Sequence, residues 1–537
     1  MTERLPLRRN AAFGGPWTAS RLWLLAPAAG ALVLCGAYFA GQLYTLDGRL
    51  GFPLDDSWIH LAFARNLAAG HGLGIDPGEL VAGSTGPLWT ALVALGVTLP
   101  VPDLAWMQLL GVGLHLGGVA LAGLLARELG LGRGLSALAA ALTALTGWLA
   151  WSALSGMEIS LFAFLTLAGM VLHLRERGEP RRPPLSLAVL GLASLARPEG
   201  VLLVALAAVD RFLRFRRGPR GVLSWDRAAL AAPAVRRFLQ GLALAALAVA
   251  PVALFNTWIG GSPLPTTLAA KTGGGGQGLH LPDMAYLHLA LGVLLQPQPW
   301  AAVLAPAGAL ALVRRLGTVR DRGLLPALWL FALPLAYSCL TPPGGGALIG
   351  NFGRYLFPLF PVAVVLAIVA LEPVARALAP GRGRSPLRAA VALTALVVLS
   401  WPAATACART AGLYAHNLAD IEAGDVRMAR WLAPRLPPEA VVATMDIGAL
   451  SALLPNPIVD LAGIADPEVH DYIRRARAAG GDWQEGVLAF AADRRPDYLV
   501  VFPEWLSAVE RPGSPFRRLH TLHVAGNITL GRDTLVL

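Results

Sequence analysis

Charge is scarce in this chain. Only 14% of its 537 residues are Asp, Glu, Lys or Arg, while 55% are hydrophobic. A soluble domain carries about 25% charged residues, so the composition is that of a polytopic membrane protein. Lysine is almost absent: arginine supplies nearly all of the 44 basic residues behind the formal net charge of +11. The arginines cluster in short loops, the bias of cytoplasmic loops. No soluble domain gathers them on one face, which excludes a nucleic-acid surface. Cysteine is limited to Cys35, Cys339 and Cys407, with no metal spacing and no evident pairing. No HExxH, CxxC, GxSxG, Walker or dinucleotide-binding pattern occurs in a suitable context. Proteolysis, ATP-driven transport and redox chemistry therefore lack support.

What the chain has is apolar runs. A spanning helix needs about 20 apolar residues. Candidate runs are 22–43, 103–126, 134–152, 157–174, 185–197, 199–213, 237–257, 298–314, 323–341, 355–372 and 387–406. The first follows Arg4, Arg8, Arg9 and Arg21. It is too long for a typical signal-peptide core and reads as a retained membrane helix. Basic loops at 1–21, 175–182, 211–220, 314–322 and 376–388 belong on the cytoplasmic side. Residues 183–210 lie between two such loops and must cross an even number of times. That predicts a hairpin of two short helices broken at Arg197-Pro198-Glu199-Gly200. The same parity places 44–102, 258–297, 342–354 and the tail from 407 outside. Counting 86–100 as a span would put the Arg127/Arg133 loop outside too, so it reads as an interfacial helix.

Composition changes near residue 407. Strand-like runs at 440–444, 457–461, 497–502, 517–524 and 528–537 mix with helical stretches at 422–435, 468–479 and 484–493. The expectation is a mainly α polytopic membrane domain over 1–406, with about eleven membrane helices, and an extracytoplasmic α/β domain over 407–537.

The first outer loop carries Asp55-Asp56. Charged groups beside a bilayer are costly, so a paired acid there points to function. Two close acids push one proton affinity up, which suits a general base. The plainer reading is an N-cap on the helix expected over 56–69, which ends at Gly70. His60 and Arg65 are polar positions on that helix. Glu158, at the outer end of two helices, either orients a sugar or holds a cation, or is a helix-start carboxylate favoured by the dipole. Arg197 and Glu199 flank the hairpin break and suit a mutual ion pair. Lys271 and Arg354 are cations on the outer side, against the charge bias, and are candidate phosphate partners. The plainer reading of Arg354 is snorkelling beside Tyr355. Asp446, Asp460 and Asp466 either contact carbohydrate or are turn residues at strand ends.

The ordered set of motifs resembles the membrane-embedded C-type glycosyltransferase superfamily. The similarity is closer to bacterial arabinofuranosyltransferase-like proteins. It rests on Asp55-Asp-Ser-Trp-Ile-His60 through Arg65-Asn66, Gly70-His-Gly-Leu, Asp76-Pro-Gly-Glu79, Ser155-Gly-Met-Glu158, Arg197-Pro-Glu-Gly200, Ser262-Pro-Leu-Pro to Lys271, and Arg354-Tyr355. The resemblance implies an inverting transfer from a polyprenyl-phosphate sugar, outside the cytoplasmic membrane, to a cell-envelope glycan, lipid or protein. It implies that Asp55 or Asp56 takes the acceptor proton, and that Lys271 and Arg354 stabilise the leaving phosphate. His60, Arg65, Glu158, Arg197, Glu199 and Tyr355 would support the substrates. Some relatives hold a divalent cation near the acids, which here would fall to Asp55, Asp56 and Glu158. The alternative is a non-enzymatic transporter of lipid-linked sugars. A transporter places its acids at mid-bilayer beside broken helices, whereas these acids lie in an outer loop.

Overall fold

The computed structural model describes residues 22–179, 182–218, 222–267, 280–341, 352–378, 386–511 and 514–537. Lys271 lies outside the described residues. Apolar runs become helices wherever their backbone groups must be satisfied without water. Among the described residues, five helices are long and apolar enough to cross a membrane: Leu22–Thr45, Asp103–Glu128, Ile159–Gly178, Ala232–Gly260 and Arg354–Ala377. Two bent pairs bring the number to seven if each pair is one span.

The difference from eleven has identifiable causes. The run at 134–152 is two helices, Arg133–Ala144 and Gly147–Leu154, bent by 57°. The run at 298–314 joins Met284–Leu295 at 111°. The predicted hairpin is present as Ser186–Ala196 and Gly200–Phe212, broken where Pro198 removes an amide. At 11 and 13 residues, these helices reach about 17–20 Å, short of the roughly 30 Å hydrocarbon core. The stretch at 86–100 forms Pro87–Val97, also 11 residues. Leu247 and Leu254 on the Ala232–Gly260 helix are 72% and 70% exposed, a surface suited to lipid.

Helix Ile159–Gly178 relates the two ends of the bundle. Its 20 residues span about 30 Å. Glu158 precedes it, and Arg175 and Arg177 lie in its last turn. At the arginine end the basic loops are tied together. Arg175 meets Glu128 at 2.7 Å, Arg211 meets Glu176 at 3.1 Å and Arg315 meets Glu372 at 2.7 Å. Buried Asp210 accepts from the Leu324 amide at 2.7 Å and lies 2.8 Å from His173 Nε2. The candidate site residues are at the opposite end.

The compositional change at 407 falls inside one continuous helix, Pro386–Ile421, so helical backbone runs from the bundle into the tail. A π-helical turn, Glu422–Val426, and helix Arg427–Leu432 follow. A parallel sheet comes next, in the order Ile458–Asp460, Val442–Thr444, Tyr498–Val500, with Val442 opposite both Ile458 and Tyr498. Helix Gly448–Leu453 connects Val442–Thr444 to Ile458–Asp460, and helices Val469–Ala478 and Trp483–Arg494 connect Ile458–Asp460 to Tyr498–Val500. Thr521–His523 and Thr534–Val536 pair antiparallel, and Val501 bridges to Val536. Val469, Val487 and Phe490 pack with Ala443 and Val501 into the tail's own apolar cluster. Cys35, Cys339 and Cys407 are thiols.

Candidate active site

Helix Asp56–Ala68 begins where the sequence predicts, and Gly70 takes φ +80° after it. The N-cap reading of Asp55 is replaced by a longer-range one. Asp55 makes no side-chain cap on its own helix. Its two carboxylate oxygens accept the amides of Gly448 and Ala449, each at 2.7 Å. Asp55 thus caps helix Gly448–Leu453 of the tail and ties the first loop to it. Burial pushes the Asp55 carboxyl up, the two amides pull it back, and Asp56 and Asp460 push it up again, to about 7. Other bonds close the same seam. Arg65 reaches Asp103 at 2.8 Å and the Ala452 carbonyl at 2.7 Å, and Asp76 accepts the Ile458 amide at 2.9 Å. Arg65 is therefore a clamp between segments.

Asp56 turns the other way. It forms an ion pair with Arg354, 298 positions away in sequence. Arg354 is 4% exposed, which excludes snorkelling. A buried guanidinium needs a partner, and the Asp56 carboxylate, 41% exposed, supplies it. The pair joins the acid loop to the Arg354-Tyr355 motif.

Glu158 occupies the N-cap position of Ile159–Gly178 without capping it. Arg197 binds it at 2.5 Å and His60 Nε2 lies 3.1 Å from it. Burial alone would raise Glu158. Arg197, the His60 bond and Arg354 outweigh that and hold the carboxyl well below the usual carboxylate range. Arg197 also pairs with Glu199 at 2.9 Å, as its position beside the hairpin break predicts. The arginine bridges two acids from two chain segments. Its guanidinium carbon lies 4.9 Å from the Tyr355 ring centroid, and that of Arg354 lies 5.6 Å from it. The Tyr355 ring stacks on Tyr337, and Tyr337 on Tyr286. Arg197, Glu158, Glu199, His60, Arg354, Asp56 and Tyr355 therefore form one charged and aromatic network.

The tail brings further acids to the Asp55 side. Asp460 is a turn residue, accepting the amides of Ala462 at 2.7 Å and Ala465 at 2.6 Å. Asp466 accepts the Asp460 amide at 2.7 Å. Asp446 lies two residues before the Asp55 cap. Burial and then Asp55, Asp56 and Asp460 push its carboxyl well above the usual range. Asp425, on the π turn, belongs to no motif in the sequence. It is 0% exposed, and among the described residues neither carboxylate oxygen has a hydrogen-bond partner. Burial, Asp446 and Asp55 push it well up. Only the long-range packing of the π turn distinguishes Asp425 from an ordinary helix acid. π turns do recur at functional sites.

The divalent-cation expectation does not fit these partners. Asp55 caps a helix, Asp56 holds Arg354, and Glu158 is enclosed by Arg197 and His60. Among the described residues, no three His, Cys, Asp or Glu side chains are grouped to hold a metal ion.

Residues 414–533 match a family model described as a domain of unknown function, DUF8728. No curated protein matches the sequence. Solved structures do resemble it. The Archaeoglobus fulgidus oligosaccharyltransferase in the apo form aligns with TM-score 0.64 and 14% identity, over 93% of this chain and 72% of that one. ArnT from Cupriavidus metallidurans in the apo state aligns with TM-score 0.55 and 16% identity, over 96% of this chain and 97% of that one. The same protein bound to undecaprenyl phosphate gives TM-score 0.52 and 16% identity, over 96% and 98%. With more than nine tenths of the chain aligned at such low identity, the protein shares the fold of these structures.

Proposed function

We propose that this protein is a C-type membrane glycosyltransferase. It moves a hexose or pentose from a polyprenyl-phosphate donor to a cell-envelope acceptor, on the outer side of the cytoplasmic membrane, with inversion. The observation that carries this reading is the Asp56–Arg354 contact. It brings together the acid and the cation that a displacement at a sugar phosphate uses, on opposite faces of the anomeric carbon once the phosphate has parted the pair. The likeness to an undecaprenyl-phosphate-bound structure supports the choice of donor.

The chemistry follows from charge. The acceptor oxygen attacks the anomeric carbon, and the carbon–oxygen bond to phosphate breaks with its electrons on the phosphate. The acceptor proton passes to a carboxylate, Asp56 in this reading. Arg354 stabilises the phosphate as its charge develops. Lys271 is a second candidate for that task. Glu158 fixes Arg197, and Asp55 fixes the loop, so both act as positioning residues. A phosphate that takes Arg354 also releases Asp56 from its ion pair. Donor binding and base activation are then one event.

Purified protein in lipid nanodiscs, given a panel of polyprenyl-phosphate sugars, tests the proposal. Wild type should transfer sugar, and Asp56→Asn should lose transfer while keeping undecaprenyl-phosphate binding. Tight donor binding without transfer from any donor would favour the transporter instead.

A further inference from the structure

Among the described residues, three polar atoms on the arginine–tyrosine network have no hydrogen-bond partner and are shielded from solvent: Tyr286 Oη, Glu199 Oε2 and Arg354 Nε. Tyr286 is 1% exposed and Arg354 4%. A buried polar atom left unbonded costs about 1–3 kcal/mol, so three in one network call for a common explanation.

The network holds them in defined orientations. Tyr337 Oη and both Arg197 Nε and Nη2 donate to Glu199 Oε1. That leaves the other carboxylate oxygen of Glu199 as an acceptor. The Tyr286 ring stacks on Tyr337 with centroids 6.2 Å apart, and Tyr337 stacks on Tyr355 at 5.5 Å. Tyr286 thus stacks on the same Tyr337 whose hydroxyl donates to Glu199. Arg354 adds a donor beside Tyr355. One acceptor, one donor and one hydroxyl able to do either match a group of vicinal hydroxyls, which give and take hydrogen bonds alternately. Stacked tyrosine rings add an apolar face for carbon–hydrogen surface. Glu199 is neutralised by Arg197, and Arg354 stands close by. Glu158 also pairs with Arg197, and Asp56 with Arg354, so each of these charges already has its partner and the wall makes no separate call for a charged group on the sugar.

We propose that Glu199, Tyr286 and Arg354 form the subsite that recognises the hydroxyls of an uncharged donor sugar, with Tyr337 as the positioning residue that aims Glu199. This rests on the glycosyltransferase reading and names the part of the donor that this wall reads. A ligand hydroxyl restores the missing bonds, so the discrimination is made against donors that lack it.

The test is binding to full-length protein in nanodiscs. The probes are bare undecaprenyl phosphate, its glucosyl, mannosyl and arabinosyl forms, and its glucuronosyl form. Wild type should bind at least one neutral glycosyl form about tenfold or more tighter than the bare phosphate, the scale of one buried hydrogen bond. It should bind the glucuronosyl form more weakly than the neutral one. Tyr286→Phe removes a hydroxyl without a partner, so the fold should survive with an unchanged or higher melting temperature. The variant should lose most of the preference for glycosylated over bare lipid while its affinity for bare lipid holds. Glu199→Gln replaces the acceptor with a donor and should lose the preference too. An unchanged preference in Tyr286→Phe would overturn the subsite, as would equal wild-type affinity for bare and glycosylated lipid. In either case phosphate binding would leave the glycosyltransferase reading standing. Failure of wild type to bind any of the lipids would overturn both.

Discussion

Asp55 and Gly448 lie 393 positions apart, yet the Asp55 carboxylate accepts the Gly448 amide at 2.7 Å. The contact joins the loop after the first helix to the tail. It assigns to one member of the acid pair a structural task that its neighbour does not share. Asp55→Ala should therefore lower the melting temperature in detergent, by an amount equivalent to about 1–3 kcal/mol. Gly448→Ala should do the same by another route, because a Cβ there would lie 2.1 Å from the Asp55 carbonyl oxygen. Thermal unfolding of the two variants checks this. Full stability in both would remove the clamp.

Asp56 and Arg354 should behave as competitors. If the donor phosphate displaces Asp56 from the guanidinium, Asp56→Asn should bind undecaprenyl phosphate severalfold tighter than wild type, while transfer falls at least about 100-fold, the scale of a lost general base. Arg354→Lys keeps the charge but loses the planar fork, and should weaken binding. Isothermal titration with bare lipid phosphate measures both. Weaker binding in Asp56→Asn would contradict the competition.

Asp425 should impose a pH-dependent penalty. Its folded carboxyl is raised well above the ordinary value, first by burial and then by Asp446 and Asp55. Below the unfolded pKa of about 3.9 the group is protonated in both states and the penalty is absent. As pH rises toward the raised folded value, the unfolded chain ionises and the buried group resists, so wild type loses stability. Asp425→Asn cannot ionise. Its melting temperature relative to wild type should climb between pH 5 and pH 8. A pH-independent difference would show that Asp425 does not titrate in this window.

Chelation should have little effect. The acids that a divalent cation would use are already engaged by Gly448, Arg354, Arg197 and His60. Treatment with EDTA should leave lipid binding and melting temperature unchanged. A loss restored by magnesium or manganese would mean that these pairs open to admit a metal.

Local rules on backbone freedom suffice for the stop at Gly70 and the break at Pro198, and both are present, whereas the cap expected from Asp55 on its own helix is not made. The strands at Val442–Thr444, Ile458–Asp460 and Tyr498–Val500 lie inside runs whose composition predicts them. The Arg197–Glu199 pair is readable from its spacing. The span count is less so, because hydropathy does not show where a run bends, as at Ala144–Gly147. The boundary near 407 is a change of composition inside a helix that continues to Ile421.

Apolar content, arginine bias and turn residues act over a few neighbours, so they determine a helical membrane chain with a mixed tail from sequence alone. Partner choice acts across hundreds of positions. Asp55 and Asp56 are adjacent and chemically identical, yet one caps a helix in the tail and the other holds Arg354. Adjacent residues on a helix point about 100° apart, and what each then meets is set by packing. The same holds for Asp425, whose carboxylate lacks a hydrogen-bond partner among the described residues because the π turn is buried where it is. Which charges meet, and which are left unbonded, was decided by the tertiary structure.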